Sequence, residues 1–64
     1  MRLNGTQLKL ASTVPLLAFL KEHGFNPARV AVEQNGIIVP RSSYTEIAVT
    51  DSDKLEVVSF VGGG

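Results

Sequence analysis

The chain has 64 residues, of which 44% are hydrophobic, and a length near 60 residues allows one domain that buries only about 60% of its unfolded surface. It has no cysteine, which excludes a disulfide, a thiolate metal site and a cysteine nucleophile. Six basic and six acidic residues are dispersed along it, so no basic stripe exists to neutralise phosphates and nucleic acid is not an expected partner.

Met1 to Asn4 reads as a short first strand. Asn4-Gly5 is a hairpin signal, because a tight type I′ turn needs positive φ at both central residues. Thr6 to Leu10 returns with alternation, Leu8 and Leu10 on one face and Gln7 and Lys9 on the other. Ser12 and Thr13 each offer a hydroxyl for capping a helix. Pro15 fits only a first turn, which places the helix start near Val14. Leu16, Leu17, Phe19 and Leu20 form an apolar stripe at helical spacing, read as core. His23 belongs to the last turn, where a cation suits the helix dipole, and Gly24 supplies the stop. Phe25 is expected to fold back onto that turn, and Pro27 to keep the next segment non-helical.

Arg29 to Gln34 reads as a third strand, with Val30 and Val32 inward and Arg29, Ala31 and Glu33 outward. Asn35-Gly36 is a second hairpin dipeptide. Ile37 to Val39 is a fourth strand, apolar on both faces and closed by Pro40. Arg41 to Glu46 is a loop or short helical turn in which Tyr44 is the anchor and Arg41 fixes the loop. Ile47 to Val49 reads as a short edge strand, Asp51-Ser52-Asp53 as a turn, and Lys54 to Phe60 as the last strand, with Leu55 and Val57 inward. One helix must bury its stripe across the mixed sheet, and the first and last strands are natural neighbours at its centre. The expected class is α+β: a β-grasp of four to five strands on one helix, residues 1–61, followed by a flexible glycine tail, residues 62–64.

That tail, Gly62-Gly63-Gly64, carries the functional signal. Glycines without a Cβ reach conformations closed to other residues and let a partner's backbone close around them. Three extended residues reach about 10 Å, enough to place a Gly64 carboxylate in a partner's active site while the domain stays outside. No nucleophile, base and oxyanion arrangement can be assembled from the remaining residues, so the chain is not expected to be an enzyme. No metal site is expected from His23 alone or from Asp51 and Asp53. No apolar stretch approaches the roughly 18–20 residues of a membrane span, and no signal layout opens the chain. A small cysteine-free domain fits a reducing cytoplasm, the expected location.

Arg29-Val30-Ala31-Val32-Glu33-Gln34-Asn35-Gly36-Ile37-Ile38-Val39-Pro40-Arg41 and the ending Val58-Ser59-Phe60-Val61-Gly62-Gly63-Gly64, with the β-grasp order and the length, resemble the ThiS family across essentially the whole chain. ThiS proteins are ubiquitin-like sulfur carriers of bacterial thiamin biosynthesis. The terminal Gly-Gly alone is shared with the molybdopterin-synthase small subunit and with ubiquitin, and the combination is more specific. One departure is Asp51-Ser52-Asp53 where the family often has Asp-Gly-Asp, which touches local stability only.

The resemblance implies a carrier with no bound cofactor. A ubiquitin-activating-type (ThiF-like) adenylyltransferase would use ATP and magnesium to adenylate Gly64. Sulfur from a cysteine desulfurase or another donor would then leave a C-terminal thiocarboxylate, and a ThiG-like thiazole synthase would take the sulfur. Gly63 and Gly62 would give access. Phe60, Val58, Val61 and Ile38 form the expected docking patch on the sheet face away from the helix. Two other functions fit the same residues: a sulfur carrier for molybdopterin or amino-acid synthesis, and a β-grasp binding module with no covalent chemistry.

Overall fold

The computed structural model describes residues 1–60. In chain order it has β1 (Arg2–Leu3), β2 (Thr6–Gln7), β3 (Val14–Pro15), α1 (Leu16–Glu22), a 3-10 turn (Pro27–Arg29), β4 (Val30–Gln34), β5 (Ile37–Val39), a second 3-10 turn (Arg41–Ser43), β6 (Ala48–Val49) and β7 (Lys54–Ser59). Five strands form one sheet in the order β2-β1-β7-β4-β5, and β3 and β6 form a separate ribbon. β1 runs parallel to β7, and the other pairs in the sheet are antiparallel. This is the β-grasp expected from the sequence, with the first and last strands side by side at its centre.

Both hairpins turn where Asn-Gly stands. Asn4 and Gly5 have φ of 50° and 83°, and Asn35 and Gly36 have 53° and 85°. These are the positive values a type I′ turn requires. The core follows the expected periodicities. Leu16, Phe19 and Leu20 from α1 pack with Val30, Val32, Val39, Leu55 and Val57 from the sheet, and Met1, Tyr44 and Val49 close the margins. Leu17 is half-buried against the same cluster, as are Leu8 and Leu10.

The helix ends as expected. Gly24 has φ +81°, its N–H donates to the Lys21 carbonyl at 3.2 Å, and the Phe25 N–H donates to the Leu20 carbonyl at 2.9 Å. That pair is the Schellman arrangement, which satisfies carbonyls the last turn leaves open. His23 is the residue at the helix C-cap, exposed, its ring centroid 4.2 Å from that of Phe19.

Its beginning corrects the sequence expectation. The helix starts at Leu16, Val14 and Pro15 are extended, and neither Ser12 nor Thr13 caps it. Distant backbone supplies the acceptors instead: the Leu16 N–H donates to Ile47 O at 2.8 Å and the Leu17 N–H to Tyr44 O at 3.0 Å. First-turn donors need partners of any kind, and a chain returning from sequence-distant residues gives no local signal. The same return pairs Val14 with Val49 and Pro15 with Ala48. The strand expected at Ile47 to Val49, present as Ala48–Val49, is therefore one of the two strands of this ribbon and not an edge of the main sheet.

Smaller differences have similar causes. β2 ends at Gln7, and Met1 with Leu8 adds one more pair to the ladder, the Met1 ammonium donating to Leu8 O at 2.9 Å. The Leu8 N–H donates back to Met1 O at 2.9 Å, and the Leu10 N–H to Asp51 Oδ1 at 2.8 Å. Pro27 opens a 3-10 turn, capped by Asn26 Oδ1 accepting from the Ala28 N–H at 3.0 Å. A proline fits the first position of such a turn, where no N–H is required.

Candidate functional site

The candidate site is the end of β7 and the open sheet face beside it. β7 lies between β1 and β4, so the strand leading to residues 61–64 is paired on both edges at the middle of the sheet. Leu55 and Val57 anchor it in the core. Alternation then turns Glu56 and Val58 to the open face. Val58 lies opposite Ala31, and Glu33 lies opposite both Glu56 and Ile38. Val58, Ala31, Glu33, Glu56 and Ile38 therefore share one surface and line a shallow depression of about 140 Å³ with Val32.

Ile38 is 73% exposed, Val58 62% and Phe60 43%. The structure thus brings Ile38 and Val58 together as expected and leaves Phe60 at the strand's end. Ile37, 71% exposed, joins Ile38 in a second groove of about 280 Å³ along β5, with Gln34, Pro40, Ser43 and Ile47 in its wall. Val61, Gly62, Gly63 and Gly64 lie outside the described residues.

Two carboxyls are held below the usual range, and both are at the opposite end of β7 from Phe60. For Asp51 the causes are the Leu10 N–H and then the Met1 ammonium, 3.3 Å away. For Asp53, burial pushes upward, and hydrogen bonds from Asn35, Thr50 and Gln34 together outweigh it. These groups hold a turn. Among the described residues no group of three His, Cys, Asp or Glu side chains could hold a metal ion. No helix among them is long and apolar enough to cross a membrane. Every buried side-chain nitrogen or oxygen described has a hydrogen-bond partner.

Sequence reasoning missed the reach of Arg41. It does fix the loop, but its guanidinium also donates to the carbonyls of Pro27 and Val30 and lies over the Phe60 ring. A single arginine after a proline carries no sign of which distant carbonyls it will meet.

The sheet order, the single helix and the central strand running toward the glycines define a ubiquitin-like β-grasp protein. The sequence model of the ThiS family matches residues 1–64, and the chain belongs to that family. It is 34% identical over 65 residues to the sulfur carrier protein ThiS of Bacillus subtilis, covering 100% of this chain and 98% of that one. It is 47% identical over 62 residues to a thiazole synthase of Paramagnetospirillum magneticum, covering 97% of this chain but only 19% of that longer protein. The crystal structure of the thiamine biosynthesis protein ThiS from Geobacter metallireducens superposes with a TM-score of 0.77 at 27% identity, covering 98% of this chain and 96% of that one.

Proposed function

We propose that this chain is a sulfur carrier for thiazole formation in thiamin biosynthesis, with Gly64 as the modified residue. The observation that carries the reading is the match to the ThiS family over residues 1–64, glycines included. The β-grasp body, residues 1–61, is the part a partner recognises, and residues 62–64 are the tail that enters its active site.

The chemistry follows from what a carboxylate lacks. It is a poor electrophile. Attack of the Gly64 carboxylate on the α-phosphorus of ATP expels pyrophosphate and converts the terminus to an acyl adenylate with a good leaving group. A sulfide-level nucleophile then forms the C–S bond as AMP leaves. The thiocarboxylate holds sulfur as a protein-bound nucleophile, with no free sulfide to diffuse away. This chain contributes the electrophile and its presentation. ATP and magnesium belong to the adenylyltransferase, sulfur comes from a cysteine desulfurase persulfide reduced to the sulfide level by a thiol, which leaves as a disulfide, or from another sulfide-level donor, and a thiazole synthase receives it. The similarity to one segment of a thiazole synthase chain supports that last partner. The carrier is a substrate of these enzymes and not itself a catalyst. In this reading the carrier works in the cytoplasm, where ATP is at hand for its adenylyltransferase.

Ile38, Val58 and Phe60, with Val61, form the docking surface in this reading. Large apolar side chains exposed on and next to the strand that leads toward Gly64 are better placed for a partner than for water. The test is the intact mass of the untagged protein after incubation with its adenylyltransferase, Mg-ATP and a sulfur source. Exchange of one oxygen for one sulfur, localised to Gly64, is the expected result. An unchanged mass with a demonstrably active partner overturns the reading.

A further inference from the structure

β5 ends with Val39 opposite Val32. Two residues further back along β4, the Val30 carbonyl has no β5 residue left to meet. Two side chains from the following turn take that place. Tyr44 Oη donates to it at 3.3 Å from the buried side, and Arg41 Nη2 donates at 3.2 Å from the outer side. Arg41 Nε donates to the Pro27 carbonyl, also at 3.2 Å. One guanidinium therefore spans the short turn Pro27–Arg29 from its start to just past its end.

Phe60 is fastened to the same turn. Its N–H donates to the Arg29 carbonyl at 2.8 Å, and its ring centroid lies 5.9 Å from Arg41 Cζ. Residues 27–30 thus form a platform that holds Phe60 by its backbone and Arg41 by its fork. The planar guanidinium matters here. It can point donors at two carbonyls and keep a flat face toward an aromatic ring, which a lysine ammonium cannot do.

We propose that Arg41 is the positioning residue for the C-terminal tail: by holding Phe60, it fixes where the chain leaves the sheet on its way to Gly64. It acts through Phe60 and not on the reacting carboxylate. The proposal rests on the sulfur-carrier reading for its functional consequence and on the structure for the contact.

Two measurements on the full chain test it, with Arg41→Ala, Arg41→Lys, Phe60→Leu and the Arg41→Ala/Phe60→Leu double variant. The first is amide hydrogen exchange at Phe60, with Val32 as internal control. The second is steady-state adenylation by the adenylyltransferase, with kcat and KM separated. Arg41→Ala is expected to speed exchange at Phe60 by about two- to fivefold and lower kcat by a similar factor, the scale of a surface cation–π contact. KM should change less than kcat, since Ile38 and Val58 keep the rest of the docking surface in place. Partial unfolding would do the reverse, raising apparent KM with kcat unchanged. Arg41→Lys should behave as Arg41→Ala, and Arg41→Ala should add nothing in the Phe60→Leu background.

Unchanged exchange at Phe60, full rescue by lysine, or additive losses in the double variant would each overturn the proposal. Additive losses would place Arg41 in direct contact with the partner. Should the wild-type chain form no adenylate at all, the sulfur-carrier reading fails, and exchange at Phe60 still decides whether Arg41 holds it.

Discussion

The side chain of Asn4 and the backbone of Val57 exchange two hydrogen bonds: Asn4 Nδ2 donates to Val57 O at 3.1 Å, and the Val57 N–H donates to Asn4 Oδ1 at 2.7 Å. The amide continues the β1 ladder where its backbone has already turned away. Asn35, in the other hairpin, acts alike. Its Oδ1 accepts from the Lys54 N–H at 2.9 Å, and its Nδ2 donates to Asp53 Oδ1 at 3.0 Å. Each asparagine makes a turn and also sews that turn to β7.

Asn4→Ala therefore loses both a tolerated positive φ and two bonds, and leaves Val57 groups unpaired. The expected cost is about 1–3 kcal/mol. Asn4→Gly restores the backbone freedom without the bonds and should cost less than Asn4→Ala. Urea unfolding of the two variants compares them; equal losses would mean the positive φ at Asn4 costs alanine nothing, and an unchanged Asn4→Gly would mean the side-chain bonds contribute nothing.

Stability should fall on acidification. A carboxyl held lower in the folded than in the unfolded state adds stability above its unfolded value, and that contribution is lost as pH falls through the folded value. Asp51 and Asp53 are both lowered. The unfolding midpoint should thus drop as pH falls below about 4, the ordinary Asp range. Asp53→Asn should flatten that acid limb, and thermal melts at a series of pH values measure it.

Glu33 and Glu56 lie directly opposite each other across β4 and β7. Like charges so placed destabilise a sheet, and removing one should stabilise it by about 0.2–1 kcal/mol. Glu56→Gln is expected to raise the midpoint at neutral pH, and added salt should shrink the gain. A lower midpoint would show the pair to be compensated.

The core leaves little reserve. Leu55 is fully buried at the sheet's centre. Leu55→Ala should cost about 2–5 kcal/mol. At roughly 0.05–0.15 kcal/mol per residue, a chain of this size has little more than that to lose. The variant should be largely unfolded at 37 °C by circular dichroism.

One residue added after Gly64 should abolish thiocarboxylate formation and leave the melting temperature unchanged. Gly63→Val should slow it strongly, for want of room around the tail. Mass spectrometry reads both. A Gly63→Val chain converted at the normal rate would remove the narrow-channel part of the mechanism.

Much of this architecture was legible because it is written locally. Asn4-Gly5 and Asn35-Gly36 announce their turns, Gly24 its helix stop, and Leu16, Phe19 and Leu20 their buried stripe. Val58 and Ile38 were identifiable as apolar residues on a face a lone domain would keep polar. What could not be read depends on residues far apart in sequence. The helix start is set by the carbonyls of Tyr44 and Ile47, which no local cap announces. Arg41 meets Phe60 only because β5 stops short of Val30, and strand length is the least local feature of a hairpin. The second role of Asn4 and Asn35 was hidden behind their first, since a turn already explains an Asn-Gly pair.

The central place of β7 has a consequence for biosynthesis. Lys54–Ser59 leaves the ribosome after every other strand, yet both halves of the sheet pair through it. Before it emerges, β1–β2 and β4–β5 are two hairpins with no common neighbour, and such hairpins are marginal alone in water. Completion of the sheet and arrival of the glycines are thus nearly one event. A polypeptide cut short before β7 therefore presents two unjoined hairpins and no continuous sheet face for a partner to meet.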